Sequence, residues 1–203
     1  MTPYSFGFMA ASLRPDLARI VAESYLITGD WQAAKARVLS SNALQTRNAR
    51  TAIRMERELR QRLGTLTQTQ LKLLAEATAE DRDAIAWLAA IKHNPFIFSF
   101  AADVLRDKLA AHDPILRRSD YETYVGHEAA AHPELAQLAT SSQGKVRQIL
   151  LLMLVEAGVL MAGPDLGTIQ RPVLSPPVTS AITSDSPRWL AAFLVPDAEI
   201  GYP

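Results

Sequence analysis

The sequence predicts an all-α, mainly helical fold: a helix-turn-helix-like trio at the N-terminus packed on a helical bundle, with a short β-hairpin near the C-terminus. Three observations predict it. Apolar residues recur at i, i+3 and i+4 spacing from Leu13 to Ala157. Glycines, prolines and capping residues punctuate that pattern at Gly29-Asp30, Gly64, Pro95 and Gly158. The last quarter is crowded with Pro164, Pro172, Pro176, Pro177, Pro187 and Pro196, which excludes a long helix there.

Taken in order, Leu13, Leu17, Ile20, Val21 and Tyr25 form the first helical stripe. Gly29 stops it and Asp30 caps a second helix carrying Trp31, Ala34 and Val38 inward. "SSNALQ" (Ser40 to Gln45) breaks that helix. Thr46 is positioned to cap a third, which runs to Leu63 and ends at Gly64. "TQLKLLAEA" and "EDRDAIAWLAAIK" give one or two further helices. Pro95 opens another, with Ile97, Phe100, Ala101, Val104 and Leu105 facing inward. A turn at "HDP" (112–114) precedes a helix capped at Ser119 or Asp120, and Pro133 starts a short one. A helix capped by Ser142 reaches Ala157. Its run "ILLLMLV" is apolar nearly all round, which predicts the central buried element. "VLMAGPDLGTIQRPVL" reads as two strands around a Gly-Pro-Asp-Leu-Gly turn, and "SPRWLAAFLV" as a final short helix. The natural boundary is a lobe of residues 1–66 beside a bundle of 67–203, with a single compact domain as the alternative.

The totals narrow the function classes. The 203 residues carry 21 basic and 21 acidic side chains, so only local clustering can argue for a polyanion partner. With no cysteine, disulfides and thiolate metal sites are excluded. The N-terminus lacks the basic start of a signal peptide, and "ILLLMLV" is far short of the roughly 20 residues of a membrane span. The expectation is a cytoplasmic protein without a membrane partner.

Catalytic and metal motifs fail on spacing. "GHEAAAH" places His127 and His132 five apart, about 140° around a helix, so they do not converge on one metal as in H-E-x-x-H; they read as surface histidines. "SSQGKV" (141–146) lacks the first glycine and the magnesium-binding hydroxyl of a phosphate loop. "DRD" at 81–83 is a pair of acids where the helix dipole favours acids anyway. No G-x-S-x-G elbow is present. No catalytic residue, metal or cofactor is nominated.

The concentrated charge lies in "TRNARTAIRMERELRQRL", Thr46 to Leu63, with six arginines against two glutamates in a chain of zero formal charge. On a helical wheel Arg47, Arg50, Arg54 and Arg57 share an arc of about 80°. Ala52, Met55, Leu59 and Leu63 form a separate apolar face, and Arg60 and Arg62 lie off the stripe. Glu58 falls within it, four residues after Arg54. A solvated face with intrahelical ion pairs is one reading. A phosphate-binding face is the other. Two features favour the second: first-turn cations oppose the helix dipole by about 0.3–1 kcal/mol each unless an anion binds there, and the charge excess is local. As the last helix of the trio, this one would enter the major groove, although the break before it exceeds the tight turn of that motif. Asn48 and Gln45 stand within reach of base edges. A second, weaker basic group is Lys145, Arg147 and Arg171, which would touch phosphate if the hairpin acts as a wing; scattered surface charge is the alternative.

The succession "ESYLITGDW", "NALQTRNARTAIRMERELRQRLGTL", "AAIKHNPFIFSFAADVLRDKL" and "GKVRQILLLMLVEAGVL" resembles the BrxA family of BREX phage-defence systems. The resemblance covers most of the chain and rests on spaced helical motifs, not on a catalytic signature. It implies a bacterial, non-enzymatic, mainly helical protein working beside a methyltransferase and ATPases. The family is likened to the RNA-binding antitermination protein NusB and is associated with double-stranded DNA. On this sequence that implication falls on Arg47, Arg50, Arg54 and Arg57; Asn48, Lys145, Arg147 and Arg171 are the secondary nucleic-acid contacts expected from the residues themselves. Two rival expectations stand beside it. One is a subunit docking a larger defence component through Trp189, Leu190, Phe193 and Leu194; the other is an RNA-binding protein.

Overall fold

The computed structural model describes residues 4–201. After a short 3-10 turn at Gly7–Ala10, α1 spans Pro15–Thr28 and α2 spans Trp31–Ser40. The Gly29-Asp30 pair separates them as predicted. Gly29 sits at φ 68, a conformation glycine adopts without strain, and its N–H closes on the Tyr25 carbonyl. The Asp30 carboxylate accepts from the Gln32 and Ala33 N–H groups and so starts α2. The third helix, α3, is Ala49–Leu63.

Then come α4 (Gln68–Glu76), opened by a Thr67/Gln70 capping box, and α5 (Ala79–His93), capped by Thr78. Asn94 ends α5 and caps α6 (Pro95–Ser99): its Oδ1 accepts from the Phe96 N–H while its Nδ2 donates to the Ser5 carbonyl. A π-helical turn, Phe100–Leu105, carries α6 into α7 (Arg106–Ala110). α8 (Arg118–Ala131) and α9 (Pro133–Ala136) lead to α10 (Thr140–Glu156). At the start of α8, Asp120 caps from inside the helix: its carboxylate accepts from the Arg117 N–H.

The central helix is α5, not α10. All eight residues from Ala84 to Ile91 are buried, and α5 touches α1, α3, α4 and α6. In α10, Leu152 and Val155 are 42% and 50% exposed. An apolar run gives the same pattern on a core helix and on a helix with an apolar outer face. The alanines at 84, 86, 89 and 90 are what let neighbours close on α5 from every side. Helices on both sides of Gly64 share this core, since α1 packs on α4 and α5.

The predicted hairpin is present as β2 (Leu160–Met161) and β3 (Gly167–Ile169), antiparallel with Leu160 opposite Ile169. Gly167 is required there, because a Cβ would lie 2.5 Å from the Met161 carbonyl oxygen. A third strand that the sequence did not predict, β1 (Ile115–Leu116), adds to the other edge of β3 in the order β1-β3-β2. Two residues are too short to show period-two alternation.

The proline-rich quarter also holds α11 (Pro176–Thr183), with Pro176 and Pro177 in its first turn, where no backbone donor is lost, and Ser175 as cap. The predicted last helix is a 3-10 turn, Pro187–Phe193. Leu190, Phe193 and Leu194 are core residues, and Trp189 is half-buried against Phe98. The Trp87 indole N–H donates to the Ala192 carbonyl at 3.0 Å. Of the apolar residues expected to dock a partner, Leu190, Phe193 and Leu194 are packed within the chain, and Trp189 keeps part of its surface exposed. Among the described residues no helix is long and apolar enough to cross a membrane.

Candidate nucleic-acid interface on α3

The start of α3 differs from the sequence expectation. Residues 41–48 connect α2 to α3 and include two left-handed residues, Asn42 (φ 47) and Gln45 (φ 49). The chain thereby enters the helix later than Thr46. Asn48 is the cap, its Oδ1 accepting from the Arg50 N–H at 2.8 Å and the Thr51 N–H at 3.4 Å. Arg47 precedes the helix, while Arg50 stays in its first turn. Asn48 has committed its oxygen to the backbone, so only its amide nitrogen is free to face a ligand.

The inner face of α3 is wider than its apolar residues suggested. Alongside Ala52, Leu59 and Leu63 it buries both glutamates: Glu56 is 0% exposed and Glu58 4%. Glu56 accepts from Arg60 Nε at 2.7 Å. Glu58 does not pair with Arg54. It turns inward and forms a buried ion pair with Arg62, Nε to Oε1 2.8 Å. Arg62 also donates to the Ser12 carbonyl at 2.6 Å and the Ala11 carbonyl at 2.7 Å. Ser12 Oγ and the Leu13 N–H in turn donate to the Glu156 carboxylate at 2.8 and 2.7 Å, tying α3 to the end of α10 through the N-terminal segment. Burial lowers the Arg62 pKa, and the Glu58 charge opposes that shift. The signal for this pair was in the sequence: Glu58 and Arg62 stand at i, i+4 just as Arg54 and Glu58 do. Spacing alone could not say which arginine was buried.

With both acids turned inward, the outer face of α3 presents Arg50, Ile53, Arg54, Arg57 and Gln61, all exposed. Arg47 is exposed just before it. Among the described residues none of Arg47, Arg50, Arg54 and Arg57 takes part in a salt bridge. Arg60 and Arg62, off the stripe on the wheel, are the two that do.

The second basic group is not assembled. Arg171 is held bidentately by Glu199, at 3.0 and 2.6 Å, beside a groove next to Val155 and Gly158 at the C-terminal end of α10. Lys145 is exposed near the other end, and Arg147 is half-buried in a cavity between α8, α9 and α10. The histidine motif is dispersed as its spacing predicts, but only His127 lies on the surface. His132 is buried, stacked on Tyr4 at 3.6 Å, with Nδ1 3.0 Å from Glu134. The turn from α8 into α9 at Pro133 carries it inward. Among the described residues no group of three metal-ligating side chains comes together.

A profile of the BrxA family matches residues 2–186. The chain belongs to the BrxA family. It is 30% identical over 141 residues to the BREX protein BrxA of Escherichia coli O9:H4 (strain HS), an alignment covering 70% of this chain and 66% of that one, just under two thirds. It is 26% identical over 160 residues to the BREX protein BrxA of Paramagnetospirillum magneticum, covering 77% and 79% of the two chains. The crystal structure of an uncharacterized protein from Magnetospirillum magneticum superposes with a TM-score of 0.83 at 20% identity, over 95% of this chain and 98% of that one. That likeness establishes the shared, mainly helical fold of this BrxA-family chain.

Proposed function

We propose that this BrxA-family chain is a non-enzymatic accessory protein of a BREX phage-defence system that holds duplex DNA by its phosphates, through Arg47, Arg50, Arg54 and Arg57. One observation carries the reading: α3 buries both of its acids, spends Arg60 and Arg62 on them, and leaves Arg50, Arg54 and Arg57 exposed without a salt bridge among the described residues. An ordinary solvated helix gains from exposed i, i+4 pairs of opposite charge. Here the outer face forgoes them, and Arg50 sits where the helix dipole opposes a cation by about 0.3–1 kcal/mol. A phosphate at that end reverses the sign.

The contacts are to backbone, so they hold DNA with little sequence choice. The Asn48 amide nitrogen and the exposed Gln45 side chain are the candidates near the helix start to read a base. Lys145 adds at most a peripheral phosphate contact. Arg171, already neutralised by Glu199, and Arg147, turned into its cavity, add less.

A salt titration of duplex affinity tests the reading. Four neutralised phosphates give a log–log slope of roughly −3 to −4. Competition between duplex DNA and double-stranded RNA of the same sequence separates this proposal from an RNA-binding one. DNA should win, and preference for RNA would overturn the choice of ligand.

A further inference from the structure

The cavity that holds Arg147 has a volume of about 370 Å³, within the range of small-molecule sites. Val125, Leu135, Leu138 and Val146 supply its apolar wall. Two polar groups in it lack partners. Tyr121 is only 6% exposed and lines the cavity, packed edge-on against Phe100, yet its hydroxyl makes no hydrogen bond to any described residue. Arg147 lies in no salt bridge among the described residues, whereas the other arginine on the rim, Arg118, is engaged by Glu122 at 2.7 Å.

The charges around the phenol agree with this geometry. Burial pushes the Tyr121 pKa up to about 12 and the nearby Arg147 charge opposes the rise, so the hydroxyl is a neutral donor beside a fixed cation. The first turn of α10 also borders the cavity through Thr140, Gln143 and Gly144. No side chain caps that turn. A neutral donor and a guanidinium beside the start of a helix suit the same kind of group: an oxyanion.

We propose that this cavity binds a small organic anion, its carboxylate or phosphate held by Arg147 and Tyr121 and its apolar body against Val125, Leu135, Leu138 and Val146. This site is independent of the duplex reading. Arg147 serves the cavity, not the DNA face, and a thickness of helix separates it from α3: residues 147 to 156 span roughly 14 Å at the α-helical rise.

The test uses benzoate and phenyl phosphate as probes and benzamide as the neutral isostere, titrated into the full chain and followed by its backbone amide NMR signals. At least one anionic probe should saturably shift Gly126, Gln143 and Gly144, and benzamide should bind about tenfold more weakly. R147Q should lose about tenfold in affinity for the anionic probe and leave benzamide unchanged, as expected for a lost charge-assisted contact. Y121F keeps the ring against Phe100 and should weaken the anion by a smaller factor. Y121F should bind duplex DNA as the parent does. The proposal is overturned if neither anion moves those three signals, if benzamide binds as well as the anions, or if R147Q binds the anions unchanged.

Discussion

Glu58 and Arg62 form a buried ion pair on the inner face of α3, with Nε and Oε1 2.8 Å apart and both side chains under 5% exposed. Arg62 also satisfies the carbonyls of Ala11 and Ser12. The same helix thus uses arginine in two ways: one anchors the fold and three on the outer face have no protein partner. Replacing Arg62 with alanine strands a buried carboxylate and two carbonyls, and should lower unfolding free energy by about 3–5 kcal/mol in chemical denaturation. Arg57→Ala, on the exposed face, should change stability by less than about 0.5 kcal/mol.

Asn48 separates stability from binding. Asn48→Ala removes the cap of α3 and should cost about 1 kcal/mol of stability. Asn48→Asp keeps an oxygen for the Arg50 and Thr51 N–H groups, so the fold should hold. It also adds a negative charge beside Arg47 and Arg50, so duplex affinity should fall. Denaturation midpoints and a DNA-binding titration on the two variants check both halves.

His93, in the last turn of α5, has its pKa lowered by burial from the ordinary 6.5, with Glu58 pulling it up and Arg62 pushing it down. A lowered folded value means that the unfolded chain takes up the proton first. The contribution is fully present above the ordinary value and is lost as pH falls through the folded one. Unfolding free energy should therefore decline as pH falls below the ordinary histidine value, and His93→Gln should flatten that decline. Urea denaturation at several pH values measures it.

Phe193 is fully buried in the C-terminal turn. Phe193→Ala should destabilise the chain by about 3–5 kcal/mol, as for other large-to-small core changes. A surface used only for docking a partner would instead leave the melting temperature of the isolated chain unchanged when truncated.

Much of this molecule was legible in its residues, and the misses share a cause. Gly29-Asp30, Pro95 and Gly158 carry local instructions, readable because a cap or a stop depends on neighbours in sequence. The arginine stripe was legible because helical period is local too. What depended on tertiary packing was not. The sequence could not say that Ala84–Ile91 would be enclosed and "ILLLMLV" left on the flank, nor that Glu58 would choose Arg62 over Arg54. Arg171 looked free until Glu199, 28 residues later, closed on it. β1 was invisible because its two residues acquire strand geometry only by pairing with β3.

The most direct test of the central claim is the salt dependence of duplex binding for the parent chain and for the R47A/R50A/R54A/R57A variant. The parent should show a log–log slope of roughly −3 to −4, and each single alanine should reduce its magnitude by about 1. The quadruple variant should remain folded, since all four side chains are exposed, and should lose most of its affinity along with the slope. A folded quadruple variant that binds duplex DNA with the parent's affinity and slope would contradict the assignment of α3 as the interface.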